Sequence, residues 1–296
     1  MTTIGFIGLG HMGHPMARNL LRAGFKVYGY DVKADAVQAL IKDGAVKAES
    51  IASLAENSDF VITSVQTGDQ ASAICLNNDG LFSHMKSDAL YIDCSSIDIA
   101  TTHILHKEAS KLRLSMIDAP VSGGVSGAEA GTLTFMVGGE EKDFKKAEPV
   151  LKAMGKKIVH AGKVGHGQAA KMCNNLLLAI SMIGVSEAFT LADKLGLDQK
   201  TFFEISSNAS GQCWAMTNYC PVPNIIDHVP ANQKYKPGFM AKMMLKDLRL
   251  AQHAAESVSA TIPLGAVSTE LYELYVDQGF GETDFSGVIN LIAHKL

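Results

Sequence analysis

The sequence predicts an α/β domain built on a parallel sheet, followed by an all-α domain. Three observations predict it. A glycine-rich turn joins the first apolar run to the first helical pattern, short apolar runs then alternate with helical spacing through the first half, and no convincing strand follows Gly167. At 296 residues the chain is long for one hydrophobic core, which also favours two domains.

Strands are expected at 4–7, 26–30, 60–63, 90–93, 115–118, 134–137 and 158–160, where short apolar runs lie between turn signals, with helices in most intervals. Ala, Leu and Met then recur at helical spacing over 169–195, 199–207, 242–257, 265–278 and 285–293. Four of the eight prolines, Pro221, Pro223, Pro230 and Pro237, fall in one polar stretch, which reads as a long ordered loop. The expected division is a first domain over 1–163 and an all-helical substrate and oligomerisation domain over 164–296.

Composition excludes several function classes. The chain is 47% hydrophobic and 19% charged, which rules out wholesale disorder. Lys and Arg number 26 against 30 Asp and Glu, without the basic excess of a nucleic-acid or anionic-membrane binder, so neither partner is expected. The charge-free stretch 172–186 is shorter than the roughly 20 residues of a spanning helix and reads as a core helix. Five cysteines without C-x-x-C spacing indicate neither a disulfide framework nor a zinc site, and fit a reducing compartment. The cytoplasm is expected, or an organelle matrix if a presequence has been removed. His11, His14, His160 and His166 lack any H-x-x-x-H or H-E-x-x-H pattern, so no metal is assigned.

The most informative motif follows the first strand. Gly8, Leu9, Gly10, His11, Met12 and Gly13 spell G-x-G-x-x-G between an apolar run and a helix. The first glycine permits the tight turn, the second lets backbone approach a pyrophosphate, and the third allows close helix packing. The helix N-terminus then offers free N–H groups and a positive dipole end. Asp31 ends the second strand, where a carboxylate binds the adenine ribose hydroxyls and repels a 2′-phosphate. The first domain therefore reads as Rossmann-type with NAD as cofactor, although FAD shares the fingerprint.

Three further clusters are weaker alone. Asp118 to Gly124 offers the Ser122 hydroxyl and the N–H groups of Gly123 and Gly124 to an anion such as a carboxylate, with an ordinary turn as the competing reading. Lys171 and Asn175 stand at i and i+4 in an apolar helix just beyond Gly165 and Gly167. Desolvation there favours the neutral amine that proton transfer needs, whereas a snorkelling lysine is the structural alternative. Lys246 and Asp247 interrupt another apolar helix and, by themselves, read as a solvated or ion-paired face.

In this order and spacing, the four clusters resemble the β-hydroxyacid dehydrogenase family over essentially the whole chain. Residues 8–17 look like its cofactor motif, 118–131 its substrate motif, 162–175 its catalytic motif and 246–248 its fourth. Within the family, Gly211-Gln212-Cys213-Trp214, Tyr219, Pro221-Val222-Pro223 and Phe239 look like the branch that oxidises 3-hydroxyisobutyrate to methylmalonate semialdehyde.

The resemblance implies NAD-dependent oxidation of a hydroxyl two carbons from a carboxylate. It implies that Lys171 is the general acid/base, that Asn175 orients the reacting oxygen, and that Ser122, Gly123 and Gly124 hold the carboxylate. Lys246 would lie near the nicotinamide and Ser96 would offer the cofactor a hydroxyl. Val65 and Gln66 stand where the family has Leu-Pro, and Gln70 replaces a commoner Asn or Thr, so cofactor contacts there depart from the pattern. The expected partners are a small hydroxyacid and, from the apolar helix 169–195, further copies of the same chain. Tartronate semialdehyde or succinic semialdehyde reduction within the family, and dinucleotide sensing without catalysis, are the other readings.

Overall fold

The computed structural model describes residues 1–295, and the chain divides into two units, Met1–Lys171 and Met172–Leu296. The division falls inside a helix, a turn or two beyond the 163/164 boundary read from sequence, because the first turn of that helix is hydrogen-bonded into the first unit.

The first unit is a twisted sheet covered on both faces. Its strands are β1 (Thr3–Ile7), β2 (Lys26–Tyr30), β3 (Val46–Lys47), β4 (Phe60–Thr63), β5 (Leu90–Asp93), β6 (Ser115–Asp118), β7 (Val121–Ser122), β8 (Leu133–Gly138) and β9 (Gly155–Gly162). The order is β3-β2-β1-β4-β5-β6-β8-β7, with β9 beside β8. Strands β1 to β6 pair in parallel.

Alternation along the strands sends side chains to opposite faces. Phe60, Ile62, Leu90, Ile92 and Ile117 join one core with α1 (Gly13–Arg22), α2 (Ala34–Lys42), and residues of the later helices. Val61, Tyr91 and Met116 join the other, against α3 (Ile51–Glu56), α4 (Gly68–Leu76), α5 (Leu81–His84) and α6 (Ile99–Lys111). The expectation of a uniformly parallel sheet needs one correction: β8 runs antiparallel to both β6 and β7. Gly123 and Gly124, at φ +134° and +63°, turn the chain back through α7 (Gly124–Ala130), which ends on the left-handed Gly131. Then α8 (Glu141–Lys152) leads into β9.

The second unit is helical. It takes most of α9 (His166–Lys194), then α10 (Gln199–Ser206), α11 (Trp214–Thr217), α12 (Ala241–Ser257), α13 (Pro263–Tyr275) and α14 (Val288–Ile292). Its core brings Ala179, Met182 and Phe189 of α9 against Met244 and Leu248 of α12 and Tyr272 of α13. By length and composition alone α9 could cross a membrane, but its apolar face packs into this core. The proline-rich segment is an ordered loop. Asp284, fully buried, accepts from Tyr219 Oη and from the backbone N–H of Gly238 and Phe239.

Candidate active site

The chain passes from β1 to β2 and β3, then returns to β4 on the other side of β1, so the ends of β1 and β4 form the switch point at which ligands bind in such sheets. The glycine turn sits there. Gly8 has φ +93°, and a Cβ on it would lie 2.3 Å from the Ser64 carbonyl oxygen. A Cβ on Gly13 would lie 1.8 Å from the Gly8 oxygen, so helix α1 packs on the turn only without a side chain. Gly10 is different: it is exposed, and a Cβ there would meet nothing within 4 Å.

The chain's own packing therefore demands glycine at 8 and 13, whereas at 10 it leaves open space. Met12 places no side-chain hydrogen bond on the first turn of α1, and that turn holds no acidic residue. His11 is exposed and Met12 half-buried beside this space. An open, uncapped and glycine-bordered helix start fits a dinucleotide pyrophosphate.

Asp31 closes the same turn. Its Oδ2 accepts from Leu9 N at 2.7 Å and its Oδ1 from Lys33 N at 2.8 Å, which keeps the half-buried carboxylate beside the glycine turn. At the end of β4, Val65 N donates to Ser95 Oγ at 3.0 Å, and Gln66 N donates to Gln70 Oε1 at 2.9 Å. The Gln70 carboxamide thus folds back to brace its own loop. Ser96 is half-buried at the tip after β5, and its neighbour Ser95 is the buried one. Ser95 N donates to Asp93 Oδ1, so the fully buried Asp93 organises this edge. Burial pushes the Asp93 carboxyl up to about 6, against the opposing bonds from Ser95 and Thr63.

Ser122 lies in β7, half-buried and paired in register with Thr134, and Gly123 and Gly124 follow in left-handed conformations open to other residues only at strain. Asp118, four residues before Ser122, is fully buried and accepts from Gly165 N at 2.8 Å and Gln168 N at 3.0 Å. Those bonds start α9 about a turn earlier than sequence spacing suggests, with Gly167 inside that first turn. A Cβ on Gly167 would stand 2.4 Å from the Met136 oxygen.

Lys171 is buried in α9 within the first unit. Asn175, one turn on along the same helix, is buried in the second unit. Its Nδ2 donates to Asp247 Oδ2 at 2.5 Å and its Oδ1 accepts from Asn174 Nδ2 at 3.0 Å. Lys246 Nζ stands 3.3 Å from Asp247 Oδ1. Asp247, which reads in sequence as part of a solvated or ion-paired face, is ion-paired but buried. The readable signal was its place on the apolar face of α12, three residues from Met244 and four from Ala251.

Comparison with known proteins bears on this arrangement. Residues 3–162 match a family described as the NAD-binding domain of 6-phosphogluconate dehydrogenase, and residues 165–292 one described as NAD-binding of NADP-dependent 3-hydroxyisobutyrate dehydrogenase. The chain is 44% identical over 291 residues to an NAD-dependent L-serine dehydrogenase of Pseudomonas aeruginosa, covering 98% of each chain. It is 44% identical over 294 residues to the mitochondrial 3-hydroxyisobutyrate dehydrogenase of Homo sapiens, covering 99% of this chain and 88% of that one. A solved structure of Mycobacterium tuberculosis 3-hydroxyisobutyrate dehydrogenase with L-serine superposes with a TM-score of 0.92 at 41% identity, covering 99% of each chain.

Proposed function

The chain belongs to the β-hydroxyacid dehydrogenase family and is an NAD-dependent oxidoreductase, and from that premise we propose that it oxidises 3-hydroxyisobutyrate to methylmalonate semialdehyde in valine breakdown. The observation that carries the chemistry is the pairing, one turn apart on α9, of buried Lys171 with an Asn175 whose amide is held from both sides.

NAD, when bound, supplies the hydride acceptor, and the open face at Gly10 with Asp31 at the end of β2 would hold its pyrophosphate and ribose. The proposed cofactor contacts further include Val65, Gln66, Gln70, Ser96 and Lys246. In the proposed reaction the neutral Lys171 amine takes the hydroxyl proton as the C–H pair leaves as hydride, giving the aldehyde. Asn175 uses an Nδ2–H to orient the reacting oxygen and to favour the charge that develops on it. Ser122 Oγ and the N–H groups of Gly123 and Gly124 hold the carboxylate and so fix which carbon faces the acceptor. Lys171 then gives its proton to solvent.

L-Serine is the second reading, favoured by the bacterial relative of that name and by the serine-bearing structure. The two acids share a hydroxymethyl carbon and a carboxylate on one central carbon, and differ there in a methyl against an ammonium group. Initial rates of oxidation of both acids with NAD and NADP, and of reduction of tartronate and succinic semialdehydes with NADH and NADPH, test the proposal. A kcat/KM for L-serine above that for 3-hydroxyisobutyrate would overturn the substrate, and a Lys171→Ala variant that turns over at the full rate would overturn the mechanism.

The five free cysteines suit a reducing compartment, cytoplasm or organelle matrix. Leu177, Leu191 and Leu195 of the α9 region are exposed and are proposed to meet a second copy, which sedimentation as a monomer at micromolar concentration would refute.

A further inference from the structure

Gln168 is almost wholly buried and spends its whole carboxamide on one short segment: Nε2 donates to Ser95 O at 2.8 Å, and Oε1 accepts from Ile97 N at 3.3 Å. The two bonds bracket Ser96. Its own backbone N–H is meanwhile held by Asp118 Oδ2 at 3.0 Å, so the first turn of α9 is fastened to the ends of β5 and β6 together. The fit leaves no slack, since a Cβ on Gly138 would lie 2.6 Å from Asp118 Oδ1 and 2.7 Å from Gly167 N. Lys171 follows Gln168 by three residues on the same helix, which makes the two neighbours along its surface.

From these contacts we propose that Gln168 is a positioning residue that sets the height and rotation of Lys171 relative to the Ser96 segment, using one side chain to register the general base against the cofactor-binding edge. The inference rests on the reading of Lys171 as general acid/base. Asp118 fastens the turn to the end of β6 through Gly165 N and Gln168 N, and the Gln168 carboxamide fastens the same turn separately to the end of β5. Misplacing a reacting group by about 1 Å costs on the order of a hundredfold in rate, so a missing anchor is visible in kcat. Because the same carboxamide brackets Ser96, its loss also reaches the cofactor.

The test replaces Gln168 with Met, which keeps the length and removes both hydrogen bonds, and with Glu, which regains the donor to Ser95 O only when protonated. For the folded Gln168→Met enzyme, kcat falls at least about tenfold, KM for NAD rises severalfold and the acid limb of the kcat/KM profile moves. Gln168→Glu recovers activity relative to the wild type as the pH is lowered. A packing role alone would lower the melting temperature and leave kcat, KM and the pH profile in place, and that result overturns the proposal. Should the Met variant fail to fold, a Glu variant without low-pH recovery overturns it equally. Lys171→Ala is assayed alongside. An inactive Lys171→Ala beside an unperturbed Gln168→Met refutes the positioning role alone, whereas a fully active Lys171→Ala refutes the reading beneath it.

Discussion

Asn175 and Asp247, separated by 72 residues in the chain, meet in a 2.5 Å hydrogen bond from Nδ2 to Oδ2 with both side chains almost wholly buried. Turning the Asn175 amide over would set its oxygen against the carboxylate, so the negative charge specifies which end of the amide donates. Asp247→Ala leaves that donor buried without its acceptor and is expected to destabilise the fold by about 2 kcal/mol. It also frees the amide, so kcat falls. Chemical denaturation and steady-state kinetics on the same preparation check both effects.

The glycine turn separates folding from binding. Gly13→Ala would drive a methyl to 1.8 Å from the Gly8 oxygen, and a loss of at least about 3 kcal/mol or outright misfolding is expected. Gly10→Ala meets nothing within 4 Å, so its melting temperature should stay near the wild type's. Its affinity for NAD should nevertheless fall by about tenfold or more, because the methyl occupies the face a pyrophosphate would approach. Thermal unfolding and a fluorescence titration of NADH distinguish the two positions.

How far these features can be read from sequence depends on how local their causes are. The β1-turn-α1 unit and Asp31 announce themselves within about thirty residues, since strand apolarity, glycine spacing and a strand-end acid all act on neighbouring chain. Strands β3 and β7 do not, because each is two residues long and exists only through its partner, Val46 beside Tyr28 and Ser122 beside Thr134. The reversal of β8 follows from positive φ angles at Gly123 and Gly124, which a sequence permits without requiring. Asp118 and Gln168 were invisible as a pair, for the bond between them closes across 50 residues. Asp247 is half-legible: its charge suggests the solvated or ion-paired face, the ion pair with Lys246 is there, and only its register with Met244 and Ala251 marks it as buried.

Asp31 ties cofactor choice to the shape of the turn. Its carboxylate accepts from Leu9 N and Lys33 N, so the charge is fixed where a 2′-phosphate would come. Asp31→Asn retains an acceptor oxygen and removes the charge. The preference for NAD over NADP is expected to narrow by about tenfold, equivalent to about 1.4 kcal/mol, mainly through a lower KM for NADP. Parallel kinetics with the two cofactors measure it, and an unchanged ratio would remove Asp31 from the discrimination.

Asp93 makes stability depend on pH in the direction opposite to a salt-bridged acid. Burial raises its carboxyl from 3.8 to about 6, and its Oδ2 has no hydrogen-bond partner among the described residues. The folded state therefore holds the proton more tightly than the unfolded chain. The contribution to stability is fully present below 3.8 and is lost as pH rises through about 6. The interval corresponds to about 3 kcal/mol at the usual cost per pKa step. Asp93→Asn cannot ionise, while its amide oxygen can still accept from Ser95 N and Thr63 Oγ1 as the carboxylate does. Unfolding free energies of the two proteins between pH 3 and pH 7 should consequently diverge, the wild type losing about 3 kcal/mol relative to the variant as pH rises. The difference between them cancels Asp284, whose carboxyl burial also raises, whereas the Asp118 charge acts on Asp93 and belongs to the same pH dependence. Parallel curves would mean that Asp93 ionises in the fold as readily as in the unfolded chain.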